Sequence, residues 1–294
     1  MPKFEPDLTL YPFRSNWATL ADGSHIHYVD EGHGPVLLLL HGNPAWSFLY
    51  RNIILNLRGQ FRCIAPDLPG FGLSQAPAGY GFTASEQAQA IVQFVDLLGL
   101  KDIGVMMQDW GGPIGFFLAQ TRPEIVERLI IGNTFAWPFT RIGPRVFSAI
   151  IGGMPGRVSA ALFNGIVRLF FTRGVVTRLA DEVWQMYLAP FRRRQDRRPT
   201  HVFPKQLTAA NEFLSEIERR LPEIADKRAL ILWGDNDFAF REFERNRFRA
   251  IFSHHVERAL PQAGHFIQED APDDISEAVR EWYRPAVPQT LGMD

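Results

Sequence analysis

The stretch IGVMMQDWGGP, residues 103–113, joins a short apolar run to an acidic residue and two glycines. The apolar run 103–107 is too short for a helix, and runs of this length are typical of strands buried on both faces of a parallel sheet. The glycines and the proline that follow Asp109 indicate a sharp turn into a helix, predicted over 110–120. The stretch therefore predicts a strand, a tight turn that carries Asp109, and a helix packed closely on that strand.

Strand and helix patterns alternate on both sides of this stretch. A hairpin with its turn at Asp22-Gly23 is predicted over 17–30. Six further strands are predicted, at 36–40, 61–66, 103–108, 126–133, 229–233 and 255–260. Besides the helix over 110–120, helices are predicted over 45–57 and 85–98, from about 241, and after His265. This alternation predicts an α/β fold with a mostly parallel, doubly wound, eight-stranded sheet.

The alternation stops between 139 and 215, where the chain is rich in apolar residues and arginine. Gly152-Gly153, Pro155 and Pro190 divide this segment into several predicted helices. We expect a helical cap domain over 139–215, inserted into a core domain formed by 1–138 and 216–294. The basic run 192–198 contains Asp196 and has no glycine-rich phosphate loop near it, so it predicts a solvated surface.

The composition excludes several classes of protein. With 294 residues of which 46% are hydrophobic, the chain is neither disordered nor fibrous. Its 31 Lys and Arg nearly cancel its 32 Asp and Glu, so no global field favours nucleic acid, an anionic membrane or a charged substrate. A neutral, apolar small molecule is the expected partner.

The single cysteine, Cys63, excludes an internal disulfide, and its apolar setting predicts a buried, inert thiol. No apolar run approaches the length of a membrane span, and the N-terminal residues lack the pattern of a signal peptide. We expect a cytoplasmic protein.

Polar residues follow several predicted strands, and functional groups in such sheets lie at the carboxyl ends of strands. The chain offers Asp109, then Asp235 and Asp237, then His265. This order of nucleophile, acid and histidine is that of the catalytic triads of α/β hydrolases. Asp237 is favoured as the acid, because an Asp directly after a glycine, as Asp235 is, often bonds its own backbone.

Asp109 occupies the nucleophile position of a strand-to-helix elbow, although Met107 replaces the first glycine of the G-x-S-x-G pattern. A carboxylate at a helix N-terminus is favoured in its ionised form, which suits attack on carbon. The alternative interpretation is that Asp109 only caps the helix.

The turn His41-Gly42-Asn43-Pro44 follows another apolar strand. The backbone N–H groups of Asn43 and Trp110 are expected to form an oxyanion hole, and the Asn43 side chain is a further donor. His41 is a candidate base by residue type, but a structural role is favoured because His265 occupies the better position.

Five segments, in this order, resemble haloalkane dehalogenases: HGNPAWSFLYRN (41–52), PDLPGFGLS (66–74), QDWGG (108–112), GDND (234–237) and AGHF (263–266). The resemblance covers about 22–282 and is weaker in the cap. Its specific signal is Asn43 together with Asp109 and Trp110. Asn133 stands where one subfamily has its acidic residue and cannot replace it, so the chain resembles the third subfamily, with an Asp-His-Asp triad.

The resemblance implies a two-step reaction without a metal or a cofactor. Asp109 displaces halide from an alkyl carbon to form an ester, while the Asn43 amide and the Trp110 indole N–H hold the departing halide. His265, oriented by Asp237, then activates the water that hydrolyses the ester. The implied partners are an apolar halogenated substrate and the halide product, with no nucleic acid or membrane, and a homo-oligomer is compatible with the family.

Three other functions stay open. An epoxide hydrolase shares the Asp nucleophile but uses two cap tyrosines, and only Tyr187 lies in the predicted cap. A fluoroacetate dehalogenase needs arginines beside the nucleophile, which QDWGG lacks. A protein that binds ligand without turnover would not need a triad. Packing is the expected role of Trp137 and Trp184, and the aromatic candidates for an apolar pocket are Phe135, Trp137, Phe147, Phe163, Phe170 and Phe171.

Overall fold

Eight strands form one sheet in the order β1-β2-β4-β3-β5-β6-β7-β8 in a computed structural model that describes residues 3–284. β1 pairs antiparallel with β2 and β2 with β4, whereas the remaining neighbours pair in parallel. The predicted mostly parallel, eight-stranded sheet is therefore confirmed. The strands are β1 (Asn16–Thr19), β2 (His25–Glu31), β3 (Val36–Leu40), β4 (Arg62–Pro66), β5 (Ile103–Asp109), β6 (Val126–Thr134), β7 (Arg228–Gly234) and β8 (His255–Leu260).

Helices follow most of the strands. They are α1 (Arg51–Leu57), α2 (Ala84–Leu97), α3 (Gly111–Thr121), α4 (Ile142–Ile151), α5 (Met154–Phe163), α6 (Gly165–Gly174), α7 (Asp181–Leu188), α8 (Arg198–Ala209), α9 (Asn211–Arg220), α10 (Glu242–Ile251), α11 (Ile267–Asp270) and α12 (Pro272–Tyr283). Short 3₁₀ helices lie at Ser47–Tyr50, Ala189–Phe191, Arg194–Arg197 and Leu221–Ile224.

Two predicted helices differ from the observed ones. The helix predicted over 45–57 begins only at Ser47, because Trp46 has an extended backbone and the residues before it form a turn closed by Ala45 N and Gly42 O. The helix predicted after His265 is divided into α11 and α12 at Ala271. A residue that precedes a proline is disfavoured in helical conformation, and Ala271 precedes Pro272 with φ −141°.

The centre of the sheet is buried on both faces. Residues 37–40 of β3 are fully buried, as the continuous apolar run requires for a strand covered by helices on each side. Cys63 on β4 is also buried, and burial raises the pKa of its thiol to about 12, which agrees with the predicted inert role.

The chain between β6 and β7 is helical, from α4 to α9. Contacts to the core include a hydrogen bond from Trp46 Nε1 to Met186 O and a cluster of Arg51, Glu269 and Tyr187. The proposed cap boundary at 215 falls inside α9, so the division into two domains stays a prediction. In the basic run, Arg192, Arg193, Arg194 and Arg198 are exposed, as expected of a solvated surface.

Within residues 3–284, no single helix has the length and apolarity to cross a membrane. α4 and α5 reach that length and composition only when they are counted together, and they are bent by 48° at their junction. The predicted cytoplasmic location and the homo-oligomer stay predictions.

Candidate active site

In the turn that carries Asp109, the start of α3 lies very close to the ends of the neighbouring strands. Asp109 has φ 52°, in the left-handed region that side chains rarely adopt, and α3 begins two residues later. A Cβ on Gly111 would overlap the carbonyl oxygen of Leu40, and one on Gly112 would overlap Oγ1 of Thr134. The two glycines therefore let α3 lie directly against the strand ends, as their position in the sequence predicts.

The Asp109 carboxylate faces the turn after β3. The backbone N–H of Asn43 donates to Asp109 Oδ1 at 2.7 Å, and the backbone N–H of Trp110 also interacts with the carboxylate. Gly42 is required here, because a Cβ at that position would overlap the Asp109 side chain. No side chain among residues 3–284 caps α3. The structure thus brings the two predicted oxyanion-hole amides to the predicted nucleophile.

Burial raises the pKa of Asp109 above its ordinary value of 3.8. The imidazole of His265 and the two backbone amides act in the opposite direction but do not outweigh burial. A helix N-terminus alone would lower this pKa. The pKa is raised instead because the carboxylate lies in an apolar setting that disfavours its charged form.

His265 lies between two carboxylates. Its Nδ1 is 3.0 Å from Asp237 Oδ2, and its Nε2 is 3.7 Å from Asp109 Oδ2. All three side chains are buried, so these charges interact in a region of low dielectric constant. Burial lowers the pKa of His265, but the Asp237 carboxylate, with a contribution from Asp109, outweighs it and raises the pKa above 6.5.

Gln108, the residue before Asp109, fixes the proton arrangement of this imidazole. Its Nε2 donates to His265 Nε2 at 3.1 Å and to His265 O at 3.0 Å. An amide nitrogen only donates and an ionised carboxylate only accepts. The neutral His265 therefore carries its proton on Nδ1, toward Asp237, and its Nε2 lone pair accepts from Gln108. In the sequence, Gln108 stands within QDWGG without a signal that would indicate this role.

Asn133 holds the predicted acid in place. Its Nδ2 donates to Asp237 Oδ2 at 2.9 Å and to Gly234 O, and its Oδ1 accepts from Gly234 N. Asp237 Oδ1 accepts from Ala239 N at 2.6 Å. The sequence excludes Asn133 as the acid because it is an amide, but it does not predict this supporting role.

The other two candidate residues lie elsewhere. Asp235 is 42% exposed and pairs with Arg245 at 3.0 Å, so it does not face the imidazole of His265. His41 Nδ1 contacts Gly42 O at 2.8 Å, and its Nε2 accepts from Leu68 N at 3.0 Å. Both ring nitrogens of His41 are engaged with backbone, which is the structural role favoured for it.

A cavity of about 300 Å³ opens beside Asp109. Its polar wall contains Asn43, Trp110 and His265 with Asp109, whereas the rest is mainly apolar: Phe139, Gly143, Pro144, Phe147, Phe170, Pro204, Leu207, Phe238, Ala239 and Phe240. Such a cavity favours a neutral, apolar ligand of small size. Phe238 and Phe240 lie one and three residues after Asp237, a position from which the sequence could have predicted them.

The two side chains expected to hold halide both reach this cavity. Asn43 Nδ2 donates to Thr200 O at 3.3 Å, and since a side-chain amide has two N–H groups, one is left for a ligand. Within residues 3–284, no protein atom accepts a hydrogen bond from the indole N–H of Trp110. Trp110 is held edge to face by Phe135, with ring centroids 4.9 Å apart.

The aromatic residues predicted to line the pocket lie in different places in the structure. Phe147 and Phe170 line the cavity, and Phe135 packs behind Trp110. Phe163 was a wrong prediction, since its side chain is 68% exposed. Trp137 and Phe171 are buried in packing away from the cavity, Trp137 against Phe248 and Phe171 against Phe266.

Trp184 and Tyr187 also lie outside the cavity lining. Trp184 is half-buried against the apolar core, and the Tyr187 hydroxyl donates to Glu269. Among residues 3–284, no tyrosine lines the cavity, and no group of three His, Cys, Asp or Glu could hold a metal ion.

The fold and the arrangement of the site define an α/β hydrolase. A family model described as "alpha/beta hydrolase fold" matches residues 35–149. The chain is 44% identical to "Haloalkane dehalogenase 2" of Mycobacterium tuberculosis over 280 residues, which cover 95% of this chain and 98% of that protein. The chain belongs to the haloalkane dehalogenase family. The assignment to its third subfamily stays a prediction.

The chain is also similar to a dehalogenase of known structure and to a protein named for a different reaction. The crystal structure of a haloalkane dehalogenase from Bradyrhizobium elkani matches with a TM-score of 0.84 at 26% identity, covering 92% of this chain and 97% of that one. The "Cis-3-alkyl-4-alkyloxetan-2-one decarboxylase" of Shewanella oneidensis is 32% identical over 91% of this chain and 87% of its own length.

Proposed function

We propose that this protein hydrolyses haloalkanes to an alcohol and halide through an alkyl ester on Asp109. The observation that carries the proposal is the position of the Asp109 carboxylate. One oxygen accepts from Asn43 N at 2.7 Å, while the other lies 3.7 Å from His265 Nε2 at the wall of an apolar cavity. A carboxylate suits this chemistry because an alkyl halide has no carbonyl carbon for a serine to attack.

In the first step, Asp109 Oδ2 attacks the carbon that bears the halogen, and the carbon-halogen bond breaks. Trp110 and Asn43 line the same cavity, and the indole N–H and the free N–H of Asn43 Nδ2 would hold the departing halide. Two neutral donors stabilise an anion without placing a cation beside Asp109, where it would compete for the carboxylate.

In the second step, water attacks the ester carbonyl carbon of Asp109. His265 Nε2 takes the proton, and the resulting imidazolium is stabilised by Asp237 at 3.0 Å. The backbone amides of Asn43 and Trp110 hold the oxygen that becomes negative, in the place where Asn43 N already meets Oδ1. The ester carbon-oxygen bond then breaks, the His265 imidazolium gives its proton to the leaving alkoxide to form the alcohol, and the Asp109 carboxyl group loses its proton to restore the carboxylate.

Halide release tests the proposal. The purified protein should release bromide and iodide from a panel of bromo- and iodoalkanes, and the Asp109→Ala variant should release none above background. An epoxide panel should give no diol, since no tyrosine of residues 3–284 lines the cavity to protonate an alkoxide. Turnover of epoxides alone would refute the proposal, and silence on both panels would favour a binding protein.

A second reaction is proposed because the Shewanella relative is named for decarboxylation of a cis-3-alkyl-4-alkyloxetan-2-one. The same Asp109 carboxylate can attack the ring carbon that bears the ring oxygen, which breaks that carbon-oxygen bond and frees a carboxylate. Loss of carbon dioxide then forms the alkene as the electron pair expels Asp109. The freed carboxylate would meet Trp110 and Asn43, where halide would otherwise bind.

The two reactions differ in their need for His265. Dehalogenation requires ester hydrolysis, whereas the decarboxylation consumes no water. A dialkyl oxetanone supplied to the His265→Gln variant should therefore still give alkene if this second reaction occurs, although the variant turns over no haloalkane. Absence of alkene with both the parent protein and the variant would remove the second reaction and leave dehalogenation intact.

A further inference from the structure

α4 and α5 expose large apolar side chains of the kind that are usually buried in a protein core. Ile142, Val146 and Ile150 follow one another at intervals of four on α4, and Met154, Val158 and Leu162 do so on α5. Residues four apart lie on one face of a helix. We call these six residues, together with Phe163 at the end of α5, the apolar face; they range from 46% to 79% exposed.

The inward sides of these helices are unlike those of ordinary amphipathic helices. Ser148 is the buried residue of α4, and its hydroxyl meets Thr208 Oγ1 of α8 at 3.0 Å. α5 buries only Gly156 and Ala160. A surface helix normally directs its large apolar residues to the core. α5 does the reverse, and α4 packs only Phe147 and Ile151 of its large apolar residues against the core. The apolar face is therefore a surface for contact rather than a part of the core.

The charges around the apolar face have one sign. Residues 139–180 contain six arginines and no Asp or Glu. Within residues 3–284, Arg145, Arg157 and Arg168 are exposed and form no ion pair with an acidic side chain. The exposed basic run at 192–198 adjoins α5, since Arg197 Nη1 donates to Ala161 O at 2.9 Å. The global balance of charge, which led us to expect no membrane partner, conceals this asymmetry.

We propose that the apolar face docks on an anionic lipid bilayer, with α4 and α5 lying in the plane of the interface. Exposed apolar side chains flanked by arginine suit insertion among acyl chains and contact with anionic headgroups. A second copy of the chain fits less well, because a two-fold contact would place like-charged arginines opposite one another.

The docking surface is continuous with the cavity beside Asp109. Gly143, Pro144 and Phe147 of α4 line that cavity, while Ile142 and Val146 of the same helix belong to the apolar face. An apolar compound dissolved in lipid would therefore be separated from the cavity by the width of one helix. The docking itself does not depend on the reaction at Asp109.

Flotation with vesicles tests this inference. The full chain is mixed with vesicles of phosphatidylcholine or of phosphatidylcholine with phosphatidylglycerol, and bound protein is measured after density centrifugation. The face variant is Ile142→Glu with Met154→Glu, at positions 79% and 67% exposed. The matched control is Leu8→Glu with Leu97→Glu, at positions 68% and 57% exposed, which adds the same charge on the core. Thermal unfolding checks that each variant is folded.

We expect the parent chain to float with the anionic vesicles and much less with the neutral ones. The ratio of bound to free protein should fall about tenfold or more in the face variant, from lost apolar burial and added repulsion. The control should bind as the parent does. No flotation, or equal loss in both variants, would overturn the proposal. Self-association without lipid that only the face variant abolishes would identify a second copy instead.

Discussion

Asp237 Oδ2 lies 3.0 Å from Nδ1 of His265, whereas the neighbouring Asp235 pairs with Arg245. The two carboxylates follow the same strand, but only one of them is buried beside the imidazole. Asp237→Asn should therefore reduce steady halide release by about a thousandfold or more, because the amide no longer stabilises the imidazolium. Asp235→Asn should stay within about twofold of the parent, as expected of a surface change. Steady-state kinetics on one bromoalkane compare the two, and the reverse order would refute the assignment.

The pH dependence of turnover should report His265. The neutral imidazole is the base, and Asp237 raises its pKa above 6.5. The neutral fraction is lost as the pH falls through that raised pKa, so ester hydrolysis should increase with pH along a limb that lies above 6.5.

The Asp237→Asn variant lacks the interaction that contributes most to raising the pKa of His265. The pH limb of its residual activity should therefore move to lower pH. Pre-steady-state kinetics across a pH series separate this step from halide release. A limb at the same pH in the parent and the variant would contradict the proposed pairing.

The indole N–H of Trp110 can be tested against a matched tryptophan. Trp110 lines the cavity, and Trp110→Phe removes its indole donor and should slow halide release by about a hundredfold. Trp137 is equally buried, its Nε1 has no partner within residues 3–284, and it does not line the cavity. Trp137→Phe should therefore change the rate only a few fold. Equal losses in the two variants would show that packing, rather than the donor, is responsible.

The close approach of α3 to the strand ends predicts a stability effect. Gly112→Ala places a methyl group against Thr134 Oγ1 and should lower the free energy of unfolding by about 1–3 kcal/mol. Gly59 is exposed, and a methyl group there would meet no atom of residues 3–284 within 4 Å, so Gly59→Ala should stay within about 0.5 kcal/mol of the parent. Denaturant titration measures both values. A neutral Gly112→Ala would mean that the turn tolerates a side chain.

Much of the sheet and of the site follows from local sequence. Apolar runs as short as that of β3 have few alternatives to a buried strand, and the ends of parallel strands gather on one edge. Asp109, Asp237 and His265 could therefore be selected before their distances were known. The supporting roles of Gln108 and Asn133 could not, because each depends on how neighbouring strands place a polar side chain that the sequence shows only as an amide.

The cap was less predictable for a physical reason. Apolar periodicity locates the buried side of a helix only when the large apolar residues face the core. α5 buries Gly156 and Ala160 and exposes Phe163. The apolar pattern therefore predicts the helix but not which of its faces is buried. Phe238 and Phe240 reach the cavity from the loop after Asp237, outside the segment where aromatic lining was sought.

The covalent ester on Asp109 is tested most directly by mass spectrometry of the His265→Gln variant after exposure to a bromoalkane. The variant should release bromide in a single stoichiometric burst and gain the mass of one alkyl group, which peptide mapping assigns to Asp109. The same treatment of Asp109→Asn with His265→Gln should add no mass. Continued turnover without an ester, or an alkyl group on another residue, would contradict the mechanism.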